Sequence, residues 1–240
     1  MKVLILGHTG MLGNCVDKYF SSFKNIETFN VDGRWPNDNF LTEIVNMDVD
    51  YVVNCIGAIP QRTKDFEINY ELPIWLDKNL ECRVIHPGTD CEMDDDHYGI
   101  SKVNASDYIK NDGKVTKIIK TSIIGHELNN SNSLLDWFLS SEESVFGYTE
   151  CYWNGNTTLE WAKQAYKMMN NWERYAKCTT ISTNRISKYE LLNIIKEIYE
   201  KDILINKDSD VESNRCLLGQ LKVPNIKEQL KELKEFYYDN

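Results

Sequence analysis

The chain opens MKVLIL and runs straight into GHTGMLG. Six apolar-rich residues without two-residue alternation read as a strand buried on both faces. Gly7, Gly10 and Gly13 then follow at three-residue spacing, ahead of an apolar-periodic helix that extends to about Phe23. Glycines between a buried strand and a helix let the backbone turn tightly and approach a ligand closely, and the helix N-terminus beyond them attracts negative charge. This order predicts a strand–loop–helix unit cradling a pyrophosphate, with Gly7, Thr9, Gly10, Met11 and Leu12 around it.

The same alternation continues. IETFNV predicts a second strand ending at Asp32, NFLTEIVNM a short helix, and VDYVVNCIGA a third strand over 49–58. INYELPIWLDKNL predicts a helix interrupted or restarted at Pro73. CRVIHPG predicts a fourth strand, the next helix runs to about Lys110, and KVTKIIKTSIIG predicts a fifth strand. Continuous apolar strands separated by helices imply an α/β fold of the Rossmann type, a doubly wound parallel sheet covered on both faces. Past about residue 126 the texture changes, through an Asn/Ser-rich connector, an amphipathic LLDWFL and the Trp/Tyr/Asn/Gly segment GYTECYWNGNTT. A helix over about 158–170, a strand-like TTIS, a helix capped by Ser187 with Glu190 at the capping-box position, and a charged amphipathic last helix complete the chain. The expected organisation is a nucleotide-binding domain over 1–125 and a smaller substrate lobe over 126–240, with interleaving of segments allowed.

Composition narrows the function classes. Among 240 residues the net charge is −10, and no basic block occurs. A nucleic-acid binder needs a basic face, so that class is disfavoured. No apolar run reaches membrane-spanning length, and the N-terminal apolar stretch is too short for a signal peptide. The seven cysteines are odd in number and lack CxxC spacing. Reduced thiols in a cytoplasmic protein are expected, and neither a disulfide framework nor a metal site. Asp94, Asp95 and Asp96 precede a helix and read as a cap with favourable dipole charge.

Two further sites follow from position. Asp32 and Arg34 stand at the end of the second strand, where an acid takes ribose hydroxyls and an arginine accommodates a 2′-phosphate. Both are present, so spacing alone does not choose; Arg34 favours NADP(H), with NAD(H) also possible. Cys55, Gly57 and Ala58 end the third strand, where small residues suit a nicotinamide ribose. The second site is GTDCEMDDDHYGISK, Gly88–Lys102. Tyr98 and Lys102 are four apart on one helix face. A lysine ammonium beside a tyrosine is expected to lower the phenol pKa from about 10 and ready it for proton transfer. Thr89, at the end of the fourth strand, supplies a hydroxyl for a carbonyl oxygen.

With these residues in hand the chain resembles the extended short-chain dehydrogenase/reductases, and within them the dTDP-4-dehydrorhamnose reductase type. The matching stretches are GHTGMLG, VVNCIGAI, INYELP, the Thr89–Cys91 segment, YGISK, KTSIIGHEL, WNGNTTLEWAK and ISKYELLNIIKEIYEKD, which together span nearly the whole chain. The resemblance implies nicotinamide-dependent reduction of a nucleoside-diphosphate 4-keto-6-deoxy hexose in deoxysugar biosynthesis. By it, Tyr98 is the proton donor, Lys102 holds the nicotinamide ribose and tunes Tyr98, and Thr89 binds the keto oxygen. Trp153, Asn154 and Thr157 are implied to line the sugar site and Arg215 to meet the nucleotide or diphosphate. A homodimer is the expected assembly.

The chain departs from that pattern in three places. Gly88 stands where the family usually has serine, the segment between Thr89–Asp90 and Tyr98 is short, and the region between the second strand and the next is likewise trimmed. Two other readings stay open: a weakly active or inactive cofactor-binding regulatory subunit, and a 3,5-epimerase/4-reductase using Cys91 with His86, His97 or His126.

Overall fold

The structure is a computed structural model and describes residues 1–129 and 131–238. From the N-terminus the elements are β1 (Lys2–Leu6), α1 (Met11–Ser21), β2 (Glu27–Asn30), α2 (Asp38–Asn46), β3 (Tyr51–Asn54), α3 (Ile68–Asn79), β4 (Arg83–Gly88), α4 (His97–Asn111) and β5 (Thr116–Lys120). A 3-10 turn, Asp90–Met93, connects β4 to α4. Next come β6 (Ile123–Ile124), α5 (Leu134–Ser140), β7 (Ser144–Trp153), β8 (Asn156–Thr157), α6 (Thr158–Asn170), β9 (Cys178–Ser182) and β10 (Ile186–Ser187). The chain ends with α7 (Lys188–Tyr199), β11 (Leu204–Asn214), β12 (Leu221–Lys222) and α8 (Ile226–Tyr238).

Two compact units result, and their segments interleave. The first comprises 1–120 and 162–179; the second comprises 121–161 and 180–240. The chain leaves the first unit after Lys120 and re-enters it at Ala162.

The first unit is built on the parallel sheet, in the order β9-β5-β4-β3-β1-β2. A seventh strand, β12, pairs parallel with Ile181 and Ser182 at the end of β9. Successive strand residues face opposite sides. Leu4, Leu6, Val52 and Val84 join Phe40, Ile44, Leu72 and Leu76 in one apolar cluster. Their neighbours Val3, Ile5, Val53 and Ile85 are fully buried too. Burial on both faces accounts for the continuous apolar runs in the sequence.

Helix α3 is continuous, not interrupted at Pro73. Proline there removes one backbone donor while Leu72 and Leu76, both fully buried, anchor the helix on either side. Asp77, near its C-terminal end, is also buried, and its Oδ1 accepts from the backbone N–H groups of Lys114, Val115 and Thr116 at 3.0, 3.1 and 2.9 Å. That carboxylate fixes where β5 starts. The expected fifth strand divides: β5 ends at Lys120, and Ile123–Ile124 pairs separately with β8. The third strand is shorter than 49–58 and spans Tyr51–Asn54.

In the second unit the Trp/Tyr/Asn/Gly segment is largely a strand, β7, flanked by β10 and a long β11 in a three-stranded sheet. Neither β7 nor β11 announces itself as a strand, because β11 (LINKDSDVESN) is polar and mostly exposed. Ser187 caps α7 as expected, accepting from Glu190 N–H at 3.1 Å while Glu190 accepts from Ser187 N–H at 2.7 Å. Gln229 of α8 is fully buried and donates to Asn156 Oδ1 while accepting from Thr157 N–H, tying that helix to β8. No helix among the described residues is long and apolar enough to cross a membrane.

Candidate active site

The sheet order reverses direction between β1 and β3, and the loops leaving those strands open a crevice at their carboxyl ends. Gly7 adopts φ +76°, a conformation that favours glycine, and Gly10 N–H donates to Gly7 O at 3.0 Å. A Cβ at Gly13 would collide with the Gly7 carbonyl, so the third glycine is required for α1 to start where it does. Gly10 caps α1 without a side-chain hydrogen bond, and no acid lies in the first turn. The helix therefore presents backbone donors and the positive end of its dipole to the loop.

A cavity of about 590 Å³ lies over this loop. Gly7, His8 and Thr9 line it from the glycine loop, Asp32 and Arg34 from beyond β2, and Ile56 and Ala58 from beyond β3. Of the residues expected around a cofactor, Gly7, Thr9, Asp32, Arg34 and Ala58 thus meet in one concavity. Leu12 turns into the core, and Cys55 is packed where burial pushes its thiol well above the usual range. His8, Trp35, Thr63, Asp65, Glu67 and Glu71 also line the cavity and were not singled out from sequence. Trp35, Thr63, Asp65 and Glu67 lie outside the strands and helices, while His8 belongs to the glycine loop and Glu71 to the first turn of α3.

Asn69 joins this cavity to α4, the helix that carries Tyr98 and Lys102. Its Oδ1 accepts from Ala58 N–H at 2.8 Å, and its Nδ2 donates to Ala58 O at 3.0 Å and to Ser101 Oγ at 3.1 Å. Ser101 Oγ in turn donates to the Tyr98 carbonyl at 2.7 Å. A buried amide thus holds the wall of the cavity in register with α4. Gly57 is small for a related reason: a Cβ there would lie 3.2 Å from Asn69 Oδ1 and 3.3 Å from Lys102 Nζ.

Asp96 accepts from Gly99 N–H at 2.7 Å and starts α4, so the acidic run does provide a cap. Tyr98 and Lys102 share a face of the helix, with Lys102 Nζ 6.0 Å from the centre of the phenol ring. The Thr89 hydroxyl hydrogen-bonds the phenol, accepts from Cys91 N–H at 3.2 Å and donates to Asp90 Oδ1 at 3.1 Å. Phe66 packs edge-on against the Tyr98 ring.

The electrostatics differ from the expectation that Lys102 depresses the phenol pKa. Burial, followed by the acidic neighbours Cys91 and Asp90, pushes Tyr98 well above its usual value, and the Thr89 hydrogen bond only partly offsets this. Burial also pulls Lys102 down to about 8, against the raising effects of Glu92 and Cys91. The balance falls this way because removing a charged form from water outweighs an ammonium that is itself desolvated. Tyr98 therefore holds its proton across the physiological range, as an acid must. His86 is fully enclosed: Asn54 Nδ2 donates to its Nδ1 at 3.1 Å, and burial keeps the ring neutral. His126 lies in the second unit between Asp136, at 2.8 Å, and the Tyr199 hydroxyl, at 2.9 Å.

The second-unit candidates divide. Trp153 is buried. Asn154 is buried too, and exchanges hydrogen bonds with the Leu217 backbone at 2.8 and 2.9 Å. Thr157 is fully buried, its Oγ accepting from Glu160 N–H at 3.1 Å. These three side chains are committed inside the unit; Asn154 holds the segment that carries Arg215, whose N–H donates to Tyr152 O at 3.0 Å. Arg185, not singled out from sequence, stacks its guanidinium 3.5 Å above the Tyr152 ring, and Lys188 Nζ lies 5.5 Å from the Trp153 ring.

No family model matches this chain, and no curated protein matches it by sequence. Solved structures do match by shape. A dTDP-4-dehydrorhamnose reductase from Bacillus anthracis in complex with NADP superposes with a TM-score of 0.78 at 14% identity, over 100% of this chain and 99% of that one. A dTDP-4-dehydrorhamnose reductase from Clostridium acetobutylicum gives 0.69 at 17% identity, over 99% of each chain. A dTDP-glucose 4,6-dehydratase from Bacillus anthracis in complex with NAD gives 0.76 at 14% identity, over 100% of this chain and 97% of that one.

The fold is theirs. It is a Rossmann-type α/β fold, as the alternation of strands and helices predicted.

Proposed function

We propose that the protein is an NAD(P)H-dependent reductase of a nucleoside-diphosphate 4-keto-6-deoxy hexose. The observation that carries this reading is the placement of Thr89, Tyr98 and Lys102 around one point, joined through Asn69 to the cavity over the glycine loop. The likeness of fold to reductases and dehydratases of nucleotide sugars supports it.

The residues present fit a nicotinamide dinucleotide. The uncapped start of α1 and the glycine loop would take the pyrophosphate, Asp32 the adenosine ribose hydroxyls, and Lys102 the ribose next to the nicotinamide. Arg34 is the arginine of the cavity lining and would take a 2′-phosphate, which favours NADP(H); Asp32 keeps NAD(H) acceptable. When bound, the reduced nicotinamide supplies a hydride to the carbonyl carbon.

The chain's own part is to manage the oxygen. Thr89 donates a hydrogen bond to the keto oxygen and Tyr98 gives it the phenolic proton as charge develops there. The ammonium of Lys102 stabilises the phenolate left behind. In the second unit, Arg185, Lys188 and Arg215 provide positive charge suited to a diphosphate, in a chain that is acidic elsewhere.

The test is reduced-cofactor oxidation, followed by absorbance, with a panel of nucleotide-linked 4-keto-6-deoxy sugars. Tyr98→Phe is expected to lower kcat by about 10²–10⁴-fold with cofactor affinity unchanged. Unchanged turnover in Tyr98→Phe on an accepted sugar would overturn the reading.

A further inference from the structure

The short stretch before the catalytic helix is a built element rather than an open loop. Within its 3-10 turn Glu92 points inward, its side chain only 3% exposed. Its Oε1 accepts the Thr89 N–H at 3.1 Å, and its Oε2 takes Lys120 Nζ at 2.8 Å. The Thr89 hydroxyl caps the same turn, so the two residues hold each other reciprocally. Lys120, at the end of β5, is itself largely buried.

The carboxylate passes across Gly88. A Cβ on Gly88 would lie 2.9 Å from Glu92 Oε1 and 3.1 Å from Lys120 Cβ. A serine at 88 and Glu92 in this position exclude one another. The glycine that departs from the expected serine and the acid inside the shortened stretch are therefore two parts of one arrangement.

We propose that Glu92 is a positioning residue of the reductase site: held by Lys120 and bonded to the Thr89 N–H, it fixes Thr89 opposite the Tyr98 phenol and places a buried anion in the pocket that Lys102 shares. The kinetic part of this inference rests on the reductase reading; the geometric part does not.

The groups facing Lys102 are few. From β4 comes His86, held neutral by burial and then by the charge of Lys102 itself. From the turn come Cys91 and Glu92, from α4 comes Tyr98, and β5 brings Lys120, already paired with Glu92. Asp90 lies on the Tyr98 side. Burial works against the Lys102 charge, and Glu92 opposes that effect more strongly than Cys91 does.

Two variants separate positioning from simple charge balance. Glu92→Gln keeps the shape and an acceptor for Thr89 N–H but removes the anion. Glu92→Gln with Lys120→Met removes both buried charges, which restores balance without restoring the anion. The first readout is the pH dependence of Lys102 amine labelling, measured by mass spectrometry on the full chain with no substrate present. The second is the steady-state split between kcat and KM, with cofactor Kd measured by fluorescence.

Both variants are expected to move the labelling midpoint down by about one pH unit. Both should lose about twofold in kcat at about pH 7 and about tenfold at about pH 9, with KM and cofactor Kd unchanged at either pH. A folded Glu92→Gln with the wild-type labelling midpoint would overturn the proposal. So would a double variant that regains both midpoint and kcat, since Glu92 would then merely neutralise Lys120. If the single variant does not fold, the double variant carries the same two readouts. If no ketosugar is reduced even by the wild type, the reductase reading fails, while the labelling midpoint still decides the role of Glu92.

Discussion

Lys102 sits where its charge is least welcome, buried beneath the residues it would serve, and its pKa of about 8 follows from that burial. Two consequences have opposite signs. The proposed reaction needs the ammonium, so kcat is expected to fall as pH rises through about 8, which a pH–rate profile checks. Stability moves the other way. The folded pKa lies below the ordinary lysine value of 10.5, so the native state bears the full cost of the buried charge below pH 8, and that cost is relieved between there and 10.5. Lys102→Met removes the group, so its stability advantage over wild type should shrink by up to about 3 kcal/mol across that window, read from urea unfolding at each pH. Arg34 offers a second residue-scale test. It lines a cavity that also carries Asp32, Asp65, Glu67 and Glu71. Arg34→Ala should weaken NADPH binding by about tenfold or more and leave NADH nearly unchanged, by calorimetric titration. Equal losses for both cofactors would remove Arg34 from the 2′-phosphate role.

At the scale of elements, polar side chains set where strands and helices begin. Asp77 collects three consecutive backbone N–H groups at the entry to β5 while lying in α3, and the Tyr108 hydroxyl of α4 approaches it at 3.4 Å. Asp77→Ala would leave those buried donors without their acceptor and is expected to cost about 3 kcal/mol, seen as a lower urea midpoint. Because Asp77 faces away from the cavity lining, cofactor affinity in the folded variant should be retained. Asn69 makes the complementary point within the same helix: its amide ties the loop after β3 to α4 through Ala58 and Ser101.

At the scale of the whole molecule, the first unit is completed by residues from much later in the chain. The 162–179 segment brings β9 to the edge of β5, where Ile118 N–H donates to Lys177 O at 2.7 Å. It also brings Trp172 against Tyr51 and Arg83, and Tyr166 onto Phe23 with ring centres 4.5 Å apart. A fragment ending at Lys120 would expose the β5 edge and those aromatic faces. Such a fragment is expected to lack the sigmoidal urea transition of the full chain, by far-ultraviolet circular dichroism.

The strand–glycine–helix start, the run of alternating strands and helices, the Ser187 capping box and the common face of Tyr98 and Lys102 were legible in the sequence, because each rests on spacing within a few residues. Burial on both faces writes itself into a strand as an unbroken apolar run, and a helix turn places i and i+4 together whatever surrounds them. What depended on partners distant in the chain was not legible. β11 is polar and exposed, so only its pairing with β7 makes it a strand. Trp153, Asn154 and Thr157 looked available for a ligand until packing enclosed them. The upward displacement of the Tyr98 pKa needed the depth of burial, which spacing does not contain. Glu92 reads as one more acid in an acidic stretch, and its partner Lys120 is 28 residues further on. Local geometry is a property of neighbouring residues, whereas desolvation and ion pairing belong to the volume that the whole fold encloses; the first the sequence determined by itself, and the second only the tertiary structure decided.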